Sequence, residues 1–457
     1  MAARLSRDGV DCLILERADA LGGTWRDNTY PGCACDIPSH LYSLSFALNP
    51  EWSSTYAGQA EIRAYMEKLA DDHDLRPLIV FGADVRQATW NQDLWTLRCE
   101  DGRVFTAQFV VNAIGGLRDP LIPALPNAFE GPQMHSARWD ASVDLKGKRV
   151  VVIGTGASAI QIVPAIAEQV AELHVVQRTP PWIVPRGDGP YLGLSRWAFR
   201  TIPGLCALWR FRSWLIHELR YPLFFGGARL RWLATRGLAL GIRRLVHDPE
   251  LRRQVTPDYN PGCKRILVAD GWYEALQRPN VRLHTGSVRS LSGSAVELED
   301  TALDADVVLW CTGFRIDDPL GQMQVTGRDG VDLRGWWGAR PRAYLGMTVP
   351  NFPNAFAMLG PNTALGHSSV LLMIESQVRY IRQAVRFALE QDRPLEVREE
   401  ALTGFLAEMD REHTDQVWMS GCRSWYLNEH GENYTIWPGS TLSYMLRTRR
   451  FDPSHYI

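Results

Sequence analysis

The run KRVVVIGTGASA, residues 148–159, decides the fold. Lys148 to Ile153 reads as a buried strand, and a helical pattern follows over Ala157 to Val170. Between them, Gly154 permits a tight turn and Gly156 lets backbone approach a pyrophosphate. The small Ala159 allows close helix–strand packing, and with Thr155 and Ser158 the turn sets a phosphate on a helix N-terminus. GxGxxA is weak evidence by itself, but at a strand-to-helix junction it is the arrangement dinucleotide binding requires. The next strand, Leu173 to Val176, ends at Gln177-Arg178-Thr179, where an NAD site would put an acidic residue on the ribose. Arg178 cannot accept that hydrogen bond, but its fork suits a 2′-phosphate, so the pattern favours NADP, with Thr179 beside it.

Further β-rich runs alternate with helical patterns: Val10 to Leu15 as a buried strand, Gln59 to Asp71 as a helix, and Phe109 to Ala113 and Val307 to Trp310 as strands. This alternation predicts an α/β chain with two Rossmann-like dinucleotide-binding domains. The spans are 1–125 for the first part of one nucleotide domain, 126–330 for the NADP domain, and 331–457 for the second part of the first domain with the C-terminal segment. A helical insertion is expected over about 185–262. It carries Trp197, Trp209, Trp214 and Trp232 among many arginines. Arginine stems over apolar surface are the expected arrangement there, with contact to a membrane surface the alternative.

Glu16, after Cys12 to Leu15, stands where a second unit would bind a ribose. The matching Gly-rich loop belongs roughly 20 residues upstream of such an acid, and Gly9 is the sole glycine before Glu16. The expectation is that this unit's first strand and loop precede Met1 and that Met1 to Ser6 is the end of its helix.

The chain has 457 residues, 49 Lys plus Arg against 51 Asp plus Glu, and 46% hydrophobic residues. This excludes a small binding module and gives no overall field for nucleic acid. Eight cysteines are too sparse for a disulfide scaffold and form no CxxC pair, so all are expected to be reduced and the protein cytoplasmic. No secretory signal or stretch of about 18 apolar residues is present. No His, Asp and Glu spacing suggests a metal.

Two longer motifs carry a family resemblance. GGTWRDNTYPGCACD, residues 22–36, and FEGPQMHSARWD, residues 129–140, resemble the Baeyer-Villiger monooxygenases among the flavoprotein monooxygenases. Phe129, Gly131, His135, Trp139 and Asp140 fill the family pattern, with Ser136 where threonine is usual. Cys263-Lys264-Arg265 and Ser424-Trp425-Tyr426 match as well. The resemblance implies FAD and NADPH as cofactors, and insertion of one oxygen atom from O2 into a ketone by way of a flavin C4a-peroxide. It implies Glu16 as FAD ribose ligand, Gly23, Thr24 and Trp25 on the flavin side, and Tyr42 and Val85 as further FAD contacts. Arg178 and Lys264 are implied as NADP phosphate ligands, Trp425 near the nicotinamide ribose, Arg265 as active-site arginine and Asp36 as the carboxylate positioning it.

A fixed guanidinium suits an anionic oxygen species in a water-poor site. His135 is read as a hydrogen-bonded joint, and His367, in a turn of small residues, as either a loop residue or one facing the flavin. The rival readings are an N- or S-oxygenating flavin monooxygenase, disfavoured by Trp139-Asp140, and a degenerate chain unable to hold FAD. A disulfide reductase is disfavoured because Cys33 and Cys35 have the wrong spacing.

Overall fold

The computed structural model describes residues 1–422 and 424–457, with side chains for all of these except 223–225. Its centre is a five-stranded parallel sheet in the order Val281–Thr285, Glu172–Gln177, Arg149–Ile153, Val307–Trp310, Gln133–His135. Val150, Val151, Val152, Val307 and Val308 are buried, as strands covered on both faces require. The helix after the glycine turn runs Ala159–Ile166, shorter than the pattern over 157–170, because Pro164 lies inside it and cannot donate to the ladder.

The other nucleotide unit is built differently. Among the described residues Ile14–Leu15 pairs in parallel only with Ile79–Val80, and Val110–Asn112 only with Ala355–Ala357. The expected buried strand over 10–15 therefore shrinks to two residues, and Leu13 is 59% exposed. With one neighbouring strand, its other edge gains neither ladder bonds nor cover. The second pair, through Val111 and Phe356, leans on the apolar cluster around the helix Val370–Gln391, as do Val10 and Cys12 ahead of the first, whereas Leu15 packs in the cluster of Trp90, Trp95 and Phe352. A mixed sheet completes this half: Gln324–Thr326 runs parallel to Val85–Asn91, and Leu94–Cys99 and Val104–Ala107 follow antiparallel.

The insertion is helical, with Gly193–Thr201, Leu205–Phe225, Ala228–Leu245 and Pro249–Val255. Arginine does cover Trp232, where the Arg236 guanidinium stands 4.0 Å from the ring. Along the long helix Arg212 likewise stands 5.6 Å from the Trp209 ring, while Leu208, Phe211 and Leu219 remain exposed. Among the described residues no helix is long and apolar enough to cross a membrane.

One cysteine expectation is corrected. Cys263 and Cys422 form a disulfide across 159 residues of sequence, while Cys12, Cys33, Cys35, Cys99, Cys206 and Cys311 are free. The fold brings the two Cα atoms to 6.2 Å, within bridging range, a proximity that spacing along the chain does not encode.

Candidate active site

The NADP-side turn has the geometry its glycines predict. Gly154 has φ +106°, and a Cβ there would meet the Cys311 carbonyl oxygen at 2.4 Å. At Gly156 a Cβ would find nothing within 4 Å, so backbone is open to approach. Thr155 is buried, Ser158 occupies the N-cap position, and Ala159 is fully buried against the sheet. Beyond the neighbouring strand, Arg178 and Thr179 line a cavity of about 480 Å³ with Arg253, Thr285 and the carboxylates Glu250 and Asp258. Lys264 does not line this cavity; its Nζ stands 4.9 Å from the Tyr259 ring. Burial lowers the Lys264 pKa, and the Arg178 charge lowers it further. Among the described residues neither cation forms an ion pair, and Lys264 feels the charges of both Arg178 and Asp258.

The two nucleotide units meet through the loop at residues 30–36. Tyr30 Oη donates to Gln161 Oε1 at 3.1 Å, and Gln161 Nε2 donates to the Ala34 carbonyl at 3.0 Å. Gly32, at φ +80°, lies against the same helix, where a Cβ would be 2.7 Å from the Gln161 carbonyl oxygen. This docking carries Asp36 across the cleft, and Arg265 Nη2 donates to Asp36 Oδ2 at 2.5 Å. The side chains keep 34% and 27% exposure, so the pair is anchored yet open to the cleft. Asp36 raises the Arg265 pKa further, which fixes the guanidinium as a permanent charge.

The remaining expected residues surround the cleft unevenly. Glu16 Oε1 accepts from Ala18 N at 2.8 Å and lies 3.3 Å from Arg26 Nη1. Gly23, at φ +49°, precedes the short helix Thr24–Asp27, on which Thr24 is exposed. Trp25 is buried with its Nε1 donating to Tyr42 Oη at 2.9 Å. Val85 is half-buried, packing in the cluster that includes Leu15. Trp425 is 46% exposed, its ring 4.3 Å from that of Tyr426.

His135 fits the joint reading, since its Nδ1 accepts from Ala137 N at 3.1 Å and burial lowers its pKa. In the same motif, Gly131 lies so near Asp306 that a Cβ would meet its carbonyl oxygen at 2.6 Å.

Sequence reading missed three residues. Tyr426 is buried beside the ion pair with its hydroxyl unpartnered among the described residues. Burial pushes its pKa up to about 12, against the pull of Arg265. Glu218, on the insertion's long helix, accepts from Thr441 N at 3.1 Å and stands 3.6 Å from His367 Nε2. His367 is thereby held in a domain contact. Next to Glu218 in the chain, His217 Nδ1 donates to the Ser213 carbonyl at 2.7 Å; burial lowers its pKa, with His367 adding to the fall and Asp36 opposing it. The spacing Trp214, Glu218, Tyr221 was a legible helical stripe, but nothing in the sequence said what it faced.

Two nucleotide units sharing a cleft that holds a fixed cation define a pyridine-nucleotide-dependent oxidoreductase. Residues 1–198 match the family described as pyridine nucleotide-disulphide oxidoreductase. The chain is 42% identical over 468 residues to a Baeyer-Villiger monooxygenase of Streptomyces coelicolor, covering 100% of this chain and 89% of that protein. Among solved structures it is similar to an oxidized steroid monooxygenase bound to NADP, at TM-score 0.86 and 29% identity over 98% of this chain and 94% of that one. It is also similar to OTEMO in complex with FAD and NADP, at TM-score 0.87 and 26% identity over 98% and 94%. The chain belongs to the Baeyer-Villiger monooxygenase family.

Proposed function

We propose that this protein inserts one oxygen atom from O2 into an apolar ketone, giving an ester or lactone, with NADPH as reductant and FAD as flavin. The observation that carries the reading is the Arg265–Asp36 ion pair at the junction of the two nucleotide units. The residues present fit both cofactors. Arg178, Lys264 and the Gly154–Gly156 turn would hold NADP. Glu16, the open approach at Gly23, and the buried Ser368 hydroxyl, unpartnered among the described residues, would hold FAD.

When bound, the cofactors supply hydride transfer and activation of O2. Arg265 stabilises negative charge on the activated oxygen through a guanidinium already oriented, which lowers the reorganisation cost of reaction. Asp36 fixes that orientation. Lysine would serve less well, because burial could cost it its proton. The long insertion helix helps exclude water by closing on the C-terminal segment, where Trp214 Nε1 donates to Thr441 Oγ1 at 2.9 Å and Tyr221 Oη donates to the Pro438 carbonyl at 2.5 Å. The supply of NADPH favours the cytoplasm, against which the Cys263–Cys422 bridge counts.

The test is product analysis of the purified, flavin-loaded protein with NADPH, offered a cyclic ketone beside a thioether. A lactone accompanied by flavin absorbance is expected. Sulfoxide without lactone would transfer the protein to the heteroatom-oxidising branch.

A further inference from the structure

Residues 192–245 contain ten arginines and one acidic residue, Glu218, in a chain of formal charge -2. The same stretch holds 12 of the 25 exposed large hydrophobic side chains among the described residues. Nearly half of the exposed apolar side chains thus lie in about an eighth of the sequence. Contiguous exposed apolar surface of this kind marks an interaction site.

The long helix Leu205–Phe225 has two faces. Arg210, Trp214, Glu218 and Tyr221 bind the body of the protein. Leu208, Phe211, Leu215 and Leu219 recur at helical spacing on the outer side, exposed by 56, 54, 38 and 68%. Trp197 and Trp232, on the flanking helices, are also more than half exposed. Arg212, Arg220, Arg236 and Arg243 are exposed and form no ion pair among the described residues.

We propose that the helices Gly193–Thr201, Leu205–Phe225 and Ala228–Leu245 seat the protein on an anionic lipid bilayer. The leucines and Phe211 enter the boundary between headgroups and acyl chains, the tryptophans lie at headgroup level, and the arginines meet lipid phosphates. Charge decides between occupants. A second copy presenting the same face would oppose arginine with arginine, whereas an anionic bilayer offers the complementary sign and an apolar layer. No described helix can cross a bilayer, so the contact lies along the surface. The inference stands apart from the oxygenation reading, since it uses no residue of the cleft.

The test is flotation of the full chain with vesicles of phosphatidylcholine alone or with 30 mol% phosphatidylglycerol, roughly the charge of an anionic leaflet, at low and high salt. Binding to the anionic vesicles alone is expected, weakened by salt and reduced at least about tenfold by Leu208→Asp with Leu219→Asp. Both positions are exposed and outside the cleft, so folding and ketone turnover without vesicles should be unchanged. Failure to float with anionic vesicles at low salt would overturn the proposal. So would binding indifferent to the double substitution, or a dimer in light scattering that the same substitutions dissociate.

Discussion

The NADP unit is one five-stranded parallel sheet led by an uninterrupted strand, turn and helix, whereas the flavin-side unit rests on two separate strand pairs. In the first, Gly154, Gly156 and Ala159 lie within six residues and sequence proximity places them. In the second, Asp36 is placed by docking on the other unit's helix and by Arg265, far along the chain. A site built from contiguous residues depends on backbone geometry; one assembled from distant residues depends on packing and on the protonation state of groups at the contacts.

That contrast predicts that acid dissolves the assembled half first. His40, packed 4.3 Å from the Phe199 ring of the insertion, and His413 are buried, and burial lowers both pKa values to about 4. Unfolded histidine takes its proton near 6.5, so between about 6.5 and about 4 the unfolded chain binds more protons and stability falls as pH falls. The two together should cost roughly 5 kcal/mol by pH 4. Denaturant unfolding with hydrogen exchange should show the insertion and residues 396–419 opening before the five-stranded sheet; simultaneous loss would break the comparison.

A smaller effect is expected at the junction. Asp36→Asn keeps the shape but loses the charge that orients Arg265, and ketone oxygenation should fall roughly a hundredfold with NADPH affinity little changed. Equal losses in both would make Asp36 a general packing residue.

In the contiguous unit, Gly154→Ala forces a Cβ toward the Cys311 carbonyl at positive φ and should destabilise by about 1–3 kcal/mol, read as a lower Tm. An unchanged Tm would show that the turn relaxes. Arg178→Ala should raise KM for NADPH about tenfold and leave KM for NADH nearly untouched, as loss of a charge-assisted contact requires. Parallel changes in both would remove Arg178 from the 2′-phosphate.

Legibility in the sequence followed the same division. The strands at 149–153, 172–177 and 307–310 and the glycine turn are visible because hydrophobic runs and glycines are local signals. The strand over 10–15 was overread because an apolar run does not reveal whether both edges find partners. The parallel pairing of Gln324–Thr326 with Val85–Asn91, the Cys263–Cys422 bridge and the facing of Glu218 toward His367 all depend on tertiary proximity, which spacing does not carry. Asp36 and Arg265 were named through family resemblance; the residues alone gave no reason to pair positions 229 apart.

The central claim is that the Arg265 guanidinium stabilises the oxygen species that attacks the ketone. Its most direct measurement is the partition of reducing equivalents in Arg265→Ala: NADPH consumed, ester formed and hydrogen peroxide released in one reaction. The expected result is continued NADPH consumption with ester formation down by at least about a hundredfold and peroxide in its place. Ester formed at an undiminished rate would contradict the account.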